Sequence, residues 1–258
     1  MDKFLTGKIA LVTGSSRGLG FTYAKRLAQA GADVIITDRS DTSAARFGEA
    51  ANGHEVAETI RAIGVKSAFY AADLRCPVQV KKLVEKAVAD FGSIDILVNN
   101  AGGDIGETTP RPMVNNALDI LDEDILSVVE RNLVTVMYVC KYVGQHMRER
   151  KSGKIVNISS GAGQISVKEG LVYAAAKRAV DHYTLCLADE LRPFNINVNC
   201  VAPLGTKTAR FFATRSAPNE DGLTRLQRLA EPDDMADMVL FLVGPHSERL
   251  SGETIVFR

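Results

Sequence analysis

The stretch "KIALVTGSSRGLG" (8–20) decides the fold, because an apolar run leads directly into a glycine-rich turn and a helix. The run "KIALVT" (8–13) has the β-branched, apolar composition of a buried strand. Gly14, Gly18 and Gly20 follow with the spacing GxxxGxG, which permits a tight turn and close backbone approach to a ligand. The helix opens at this turn, and a helix N-terminus favours an anionic phosphate. No Lys-Ser or Lys-Thr pair follows the last glycine, so the turn is not a P-loop.

Short apolar runs alternate with helical periods along the rest of the chain. The predicted strands are 8–13, 33–37, 66–73, 95–100, 154–159, 196–201 and 253–257. The predicted helical regions are about 19–30, 54–64, 77–92, 119–148, 171–192 and 232–243. Apolar strands that alternate with helices predict a parallel sheet covered on both faces. The predicted fold class is therefore α/β: a Rossmann-like, doubly wound parallel sheet of about seven strands, in a single domain over 1–258.

The composition argues against several classes of function. The chain has 258 residues, 46% of them hydrophobic, and its 31 basic side chains balance 31 acidic ones, so no nucleic-acid or membrane partner is expected. The N-terminal stretch "MDKFLTGKIALVTG" (1–14) resembles neither a signal peptide nor a membrane span. No metal site and a cytoplasmic location are expected, because no CxxC occurs and the cysteines and histidines are dispersed. They are Cys76, Cys140, Cys186, Cys200, His54, His146, His182 and His246.

An acidic residue ends the second predicted strand. Asp38 follows Gly20 by 18 residues, where a carboxylate can accept hydrogen bonds from both ribose hydroxyls of a dinucleotide. A 2′-phosphate there would meet a like charge, so Asp38 predicts NAD in preference to NADP. Arg17 and Arg39 could instead pair with a 2′-phosphate, and NADP stays an alternative.

The stretch "GLVYAAAKRAV" (170–180) places Tyr173 and Lys177 four residues apart, on one face of a predicted helix. Taken alone, the pair could belong to a solvated surface helix. A phenol with an ordinary pKa of about 10 is a poor base near neutral pH, and an adjacent ammonium favours the phenolate. The spacing therefore suits an acid/base with its tuning partner.

Several spaced motifs agree in order and distance. They are TGSSRGLG (13–20), NNAG (99–102), Asn132, Ser160, Tyr173 and Lys177. Together they resemble the classical branch of the short-chain dehydrogenase/reductase family, over nearly the whole chain. Ser160 precedes Tyr173 by 13 residues, the usual family spacing, which selects Ser160 over Ser159. One departure is "APLGT" (202–206), where the family usually has Pro-Gly.

The resemblance implies a catalytic set and its roles. Tyr173 would be the acid/base, and Lys177 would favour its phenolate and bind the nicotinamide ribose. Ser160 would donate to the substrate oxygen, and Asn132 would hold a water that links Lys177 to solvent. The cofactor-binding set, from the residues and the resemblance together, is Gly14, Ser16, Arg17, Gly18, Leu19, Gly20, Asp38, Asp73, Leu74, Asn100, Ala101, Gly102, Tyr173, Lys177, Pro203 and Thr206. Asp73 could alternatively cap a helix.

The resemblance implies an NAD(P)-dependent alcohol dehydrogenase or carbonyl reductase. Alternatives are a 3-oxoacyl-thioester reductase that uses NADPH, an extended-family epimerase or dehydratase, and a catalytically silent cofactor-binding regulatory protein. A homotetramer is expected through helices 119–148 and 171–192, with Val134, Tyr138, Tyr183 and Leu187 in that interface or in the core.

The substrate loops are predicted at about 103–116 and 204–224. The pocket is expected to be lined from 103–116, 161–171 and 204–217. Their polar residues favour a polar small-molecule substrate and leave open which of them point inward. These residues are Asp104, Glu107, Gln164, Lys168 and Arg210.

Overall fold

Seven parallel strands form one sheet in the computed structural model, which describes residues 3–216, 218–224 and 228–257. The sheet order is β3-β2-β1-β4-β5-β6-β7. The strands are β1 (Ile9–Thr13), β2 (Asp33–Asp38), β3 (Ser67–Ala71), β4 (Ile96–Asn99), β5 (Gly153–Ile158), β6 (Ile196–Ala202) and β7 (Thr254–Val256). The predicted α/β class and the seven strands are confirmed. Residues 1, 2 and 258 of the predicted domain lie outside the described residues.

Eight α-helices can be assigned within the described ranges. They are α1 (Gly18–Gln29), α2 (Gly53–Arg61), α3 (Pro77–Phe91), α4 (Asp122–Val129), α5 (Thr135–Arg150), α6 (Leu171–Leu191), α7 (Ala209–Thr214) and α8 (Pro232–Val243). Pro77 and Pro232 occupy first turns, where a missing backbone N–H costs nothing. Asn52 caps α2 by accepting a hydrogen bond from the Glu55 amide at 2.8 Å.

The strands carry an apolar core on each face of the sheet. Successive side chains of a strand point to opposite faces, so Leu11 and Val12 enter different cores. The core that contains Val12 is closed by α1, α2 and α8, and the core that contains Leu11 is closed by α3, α5 and α6. The sheet is therefore doubly wound, as predicted.

Three local elements differ from the sequence-based expectation. The predicted helical region 119–148 is divided by one turn of π-helix, Glu130–Val134, between α4 and α5. The stretch after β2 contains a 3₁₀ segment, Asp41–Phe47, and the predicted loop after β6 contains α7. The two short segments have too few residues for hydrophobic periodicity to reveal them.

The strand order reverses beside β1, which pairs with β2 on one side and with β4 on the other. At such a reversal the loops after two adjacent strands run in opposite directions and leave a crevice at the carboxyl ends. The glycine-rich turn after β1 and the NNAG stretch at the end of β4 meet at this crevice.

Candidate active site

A cavity of about 910 Å³ opens along the carboxyl ends of the strands. The loops after β1, β2, β3, β4, β5 and β6 all contribute to its wall. The predicted site residues that line it are Gly14, Arg17, Gly18, Leu19, Gly20, Asp38, Asp73, Leu74, Asn100, Ala101, Gly102, Ser160, Tyr173, Lys177, Pro203 and Thr206. Ser16 and Asn132 do not line it, because both lie behind the wall and are almost completely buried.

The glycine-rich turn needs its glycines for space. Gly14 has φ +62°, and a Cβ there would lie 2.9 Å from the Cα of Ala101. A Cβ at Gly20 would overlap the carbonyl oxygen of Gly14 and the side-chain amide of Asn100. The turn is thus packed against the end of β4, and α1 begins immediately after it at Gly18.

Polar contacts hold the ends of β1 and β4 together. The Asn100 side chain donates to the carbonyl oxygens of Thr13 at 3.0 Å and Gly14 at 3.1 Å. The Thr13 hydroxyl accepts the backbone N–H groups of Asn100 and Ala101, each at 3.0 Å. The side chain of Asn100 therefore braces the turn, while its backbone and that of Ala101 form the cavity wall.

Asp38 presents its carboxylate to the cavity at the end of β2. The hydroxyl of the buried Ser16 donates to one carboxylate oxygen at 2.5 Å, and the backbone N–H of Arg39 donates to the other at 2.8 Å. Ser16, predicted to bind the cofactor, therefore orients Asp38 through its side chain.

Arg17 extends from the turn beneath the segment after β2. Its guanidinium lies over the ring of Phe47, 4.9 Å from the ring centre, and its Nε is buried without a hydrogen-bond partner among the described residues. Burial lowers the pKa of Arg17, while the neighbouring carboxylates of Asp38 and Glu49 act in the opposite direction.

Asp73 and Leu74 follow β3 and face the cavity. The Asp73 carboxylate forms a fork with Arg75, with its closest contact at 2.9 Å from Nη2. Burial alone would raise the pKa of Asp73, but the hydrogen bonds from Arg75 outweigh burial and lower it. Arg75 also reaches Glu107 at 3.5 Å, so Asp73 belongs to a surface ion-pair network at the cavity rim.

Asn132 lies in the π-helical turn and is fully buried. Its Oδ1 accepts the Gly103 N–H at 2.8 Å, and its Nδ2 donates to the carbonyls of Gly103 at 2.9 Å and Val128 at 2.8 Å. A Cβ at Gly102 would lie 2.7 Å from Asn132 Oδ1. Both amide hydrogens of Asn132 are thus used by the protein itself. The side chain holds the backbone that continues the cavity wall beyond β4.

Ser160, Tyr173 and Lys177 line one part of the cavity. Tyr173 and Lys177 lie one turn apart on α6, with Lys177 Nζ 5.8 Å from the centre of the Tyr173 ring. Lys177 is buried and donates to the Ile158 carbonyl at 2.8 Å, which ties α6 to the end of β5. Ser160 follows β5, and its Oγ accepts the Ala162 N–H at 3.2 Å. Ser159 instead donates its hydroxyl to the Lys177 carbonyl at 2.9 Å.

The Pro-Leu-Gly departure gives the loop after β6 a fixed position. Pro203 accepts the Gly161 N–H at 2.7 Å, and the Leu204 side chain lies where a Cβ of Gly161 would be. Gly205 gives up a side chain because a Cβ there would lie 2.6 Å from Leu229. The loop therefore packs against the segment after Ser160, and Pro203 and Thr206 remain on the cavity wall.

Comparison with known proteins identifies the family. The family model for short chain dehydrogenases matches residues 8–219. The chain belongs to the short-chain dehydrogenases. This agrees with the family resemblance of the sequence motifs.

Two curated relatives illustrate the range of this short-chain dehydrogenase family. The cyclohexanol dehydrogenase of Rhodococcus sp. (strain TK6) is 38% identical over 260 residues, which cover 97% of this chain and 94% of the relative. The 3-oxoacyl-(acyl-carrier-protein) reductase FabG of Chlamydia pneumoniae is 32% identical over 258 residues, covering 99% and 97%.

Solved structures share the same architecture. A short chain dehydrogenase from Burkholderia cenocepacia J2315 in complex with NADP is 31% identical with a TM-score of 0.82, covering 98% of this chain and 97% of that one. An NAD⁺-bound xylitol dehydrogenase is 25% identical with a TM-score of 0.84, covering 98% of each chain.

The substrate side of this short-chain dehydrogenase is formed by residues whose orientation the sequence left open. Asp104 and Arg210 line the cavity, whereas Glu107, Gln164 and Lys168 do not. Glu107 pairs with Arg75 and Arg131, and Gln164 bonds Asp181 and Arg178. Ala217, the end of the predicted lining segment, lies outside the described residues.

Sequence reasoning missed several lining residues. They are Ser40, Thr42, Ser43, Arg46, Arg111, Glu169 and Thr208. Only Thr208 carried a usable signal: a threonine before the apolar run "ARFFA" (209–213) is a helix N-cap pattern. Its hydroxyl accepts the Phe211 N–H at 3.1 Å and begins α7.

Membrane spans and metal clusters are absent from the part of the chain that the structure describes. Within 3–216, 218–224 and 228–257, no helix is long and apolar enough to cross a membrane. In the same ranges no group of three or more His, Cys, Asp or Glu side chains could hold a metal ion.

Proposed function

We propose that this protein transfers a hydride between a nicotinamide cofactor, NAD in preference to NADP, and a polar secondary alcohol or its ketone. The observation that carries the proposal is the shared cavity. Ser160, Tyr173 and Lys177 face the same space as the glycine-rich turn and Asp38. The relatives named cyclohexanol dehydrogenase and xylitol dehydrogenase support oxidation of an alcohol.

The residues present fit a dinucleotide. Gly14 and Gly20 leave a cradle that a Cβ would fill, and α1 points its N-terminus at that cradle. Gly18 and Leu19 would hold the phosphates, while Asp38, Asp73 and Leu74 would hold the adenosine end. When bound, the nicotinamide supplies a hydride acceptor or donor.

Tyr173 would pass the proton to or from the substrate oxygen. Ser160 Oγ accepts the Ala162 N–H, so its own hydroxyl hydrogen remains available for that same oxygen. The hydroxyl would stabilise charge as it develops there. Ser159, which donates to Lys177, has no such free hydrogen.

Lys177 would favour the phenolate of Tyr173 and bind the nicotinamide ribose. An ammonium has three donors, and the Ile158 carbonyl uses one of them. That contact fixes the amine in the cavity and leaves two donors for the ribose and for the proton path. Asn132, in this proposal, keeps the Gly102–Gly103 wall in place and, through that segment, borders the water path expected from the family resemblance.

Asp38 would select NAD. A carboxylate has about four acceptor sites, and Ser16 and Arg39 occupy two, which leaves capacity for ribose hydroxyls. A 2′-phosphate would instead meet a carboxylate that these two donors hold in place. The nearest arginine of the turn, Arg17, is engaged over Phe47.

We also propose a homotetramer in a reducing, cytoplasmic compartment. All four cysteines lie in the described residues and are free thiols. Leu187 belongs to the core, and Tyr138 and Tyr183 pack against it. The exposed apolar side chains on the proposed interface are Leu118, Leu121, Leu126, Met137 and Leu185.

A panel assay tests the proposed reaction. Cyclohexanol, xylitol, the matching ketones and acetoacetyl-coenzyme A are supplied with NAD(H) and NADP(H), while NADH binding is titrated by fluorescence. We expect turnover of an alcohol–ketone pair with NAD(H). Preference for the thioester with NADPH would favour the reductase alternative, and NADH binding without any turnover would favour the regulatory one.

A further inference from the structure

Arg210 is an arginine of the substrate loop that turns back into the cavity. It lies on α7, and its Nη2 donates to the Asp104 carbonyl at 2.8 Å. Its guanidinium lies so close to Gly103 that a Cβ there would overlap Nη1. The side chain thus crosses from the loop after β6 to the loop after β4 and becomes part of the cavity wall.

This guanidinium has no carboxylate partner. Within the ranges that the structure describes, no carboxylate oxygen lies within 4.0 Å of it. The nearest candidate by sequence, Asp104, uses its Oδ2 for Arg111 at 3.0 Å and for Asn115 at 2.7 Å. Arg210 reaches only the backbone of Asp104, so its positive charge is not neutralised.

Burial of this charge is energetically costly. Burial lowers the pKa of Arg210 to about 10, and the nearby Tyr173 and Asp104 act in the opposite direction while Arg215 and Arg17 reinforce the lowering. Arg210 therefore remains a cation at neutral pH. A buried cation without a partner is stabilised by an anion that enters the same space.

The guanidinium suits a carboxylate. It carries five N–H donors in a planar fork, and the Asp104 carbonyl uses one. The remaining donors can bind both oxygens of a carboxylate in parallel. The cofactor phosphates have a separate cradle at the start of α1, whereas Arg210 contacts Gly103 and Asp104 beyond β4 and lies near Tyr173.

We propose that Arg210 binds a carboxylate of the substrate, so that the preferred substrates are hydroxy acids and the corresponding keto acids. This inference rests on the proposed function, because it places the anion beside the oxygen that Tyr173 would protonate.

Binding in a non-reacting complex tests the inference independently of turnover. A keto acid cannot be reduced by NAD, so calorimetry of the NAD-saturated protein measures affinity alone. The probes are 2-oxobutanoate and 4-oxopentanoate, each compared with its neutral methyl ester. The variants are Arg210→Gln, which keeps a donor for the Asp104 carbonyl, and Arg192→Gln as a matched control. Arg192 is a surface arginine paired with Asp189 at the end of α6.

We expect the wild-type protein to bind at least one acid about tenfold or more tightly than its ester, as a charge-assisted contact predicts. Arg210→Gln should bring that ratio to within about twofold, and Arg192→Gln should keep it. Equal affinities in the wild type, no binding of either acid, or a ratio that persists in Arg210→Gln would overturn the inference.

Cofactor affinity and turnover distinguish a phosphate contact of Arg210, and a failure of the proposed function, from the carboxylate contact. If Arg210→Gln weakens NAD binding and leaves the acid-to-ester ratio unchanged, the guanidinium serves the cofactor phosphates and the inference is wrong. Reduction of the four probes and of cyclohexanone by NADH is measured separately. If no carbonyl compound is reduced, the proposed function fails, while the calorimetric ratio still decides whether Arg210 binds a carboxylate.

Discussion

Asn132 holds Gly103 through both of its backbone groups, accepting the N–H at 2.8 Å and donating to the carbonyl at 2.9 Å. This pair joins the π-helical turn to the cavity wall. Because Gly103 also lies against Arg210, the same contact positions the proposed substrate arginine.

Asn132→Ala should lower the free energy of unfolding by about 1–3 kcal/mol, because buried backbone groups of Gly103 and Val128 lose their partners. Asn132→Asp keeps the acceptor for the Gly103 N–H and loses both donors. Urea denaturation of the two variants checks this, with NADH affinity as a second readout. Wild-type stability in Asn132→Ala would show that the contact is dispensable.

Tyr173→Phe should reduce the rate constant kcat by about 10²- to 10⁴-fold, the usual contribution of an acid/base group. Its NADH affinity should stay within about threefold, because only the hydroxyl is removed. Lys177→Ala should damage both, since the amine would bind the ribose. Steady-state kinetics and fluorescence titration check both variants. Near wild-type turnover in Tyr173→Phe would contradict the acid/base role, and an effect of Lys177→Ala on rate alone would contradict the ribose contact.

Asp38→Ala should lower the ratio of kcat/KM with NAD to kcat/KM with NADP by about tenfold or more, as expected for a hydrogen bond to a charged acceptor. Asp41→Asn is the matched control. It removes a charge three residues away and keeps the oxygen that accepts the Gly53 N–H. A wild-type preference for NADP would overturn the assignment, and an unchanged ratio in Asp38→Ala would exclude Asp38 as the selecting residue.

His146 should make stability depend on pH. Burial and the nearby Arg150 lower the pKa of His146, whose Nε2 accepts the Ile94 N–H at 3.3 Å. Below an ordinary histidine pKa of about 6.5 the unfolded chain gains a proton that the folded chain resists, so stability present above that pH is lost as pH falls.

Urea denaturation between about pH 8 and pH 5 checks this, since histidine titrates in that range. His146→Gln keeps an acceptor that does not titrate in this range and should lose less stability on acidification than the wild type. The exposed His182→Gln serves as the control and should follow the wild-type curve. Parallel curves for wild type and His146→Gln would contradict the prediction.

The proposed tetramer should dissociate when charge is placed on its interface. Light scattering at micromolar concentration should give four copies for the wild type. Leu126→Asp with Leu185→Asp should reduce that number, because these two apolar side chains are 65% and 48% exposed in the isolated chain. Val78→Asp, at a 60% exposed position on α3, should have no effect. A monomeric wild-type protein would refute the proposal.

The regular elements were predictable because their periodicity is long. The last helix was predicted at 232–243 and spans Pro232–Val243, and the sheet follows the predicted order of strands and helices. The glycine-rich turn was predictable because the space available at Gly14 and Gly20 admits no side chain. Such local requirements leave a signature in a single sequence.

The direction of individual side chains was not predictable. Arg210, Glu107 and Gln164 were equal candidates, and only the path of α7 across Gly103 places Arg210 in the cavity. Likewise, the burial of Asn132 depends on a π-helical turn that inserts one residue into an otherwise regular helical pattern. These outcomes depend on contacts between segments far apart in the chain.

The contact between Leu204 and Gly161 constrains the order in which the two positions can change during evolution. Any side chain introduced first at Gly161 collides with Leu204, whereas a smaller residue at Leu204 first creates the room. The two substitutions are therefore non-additive, as expected for touching residues. Divergence of this loop from its relatives is reversible along one sequence of steps and blocked along the other.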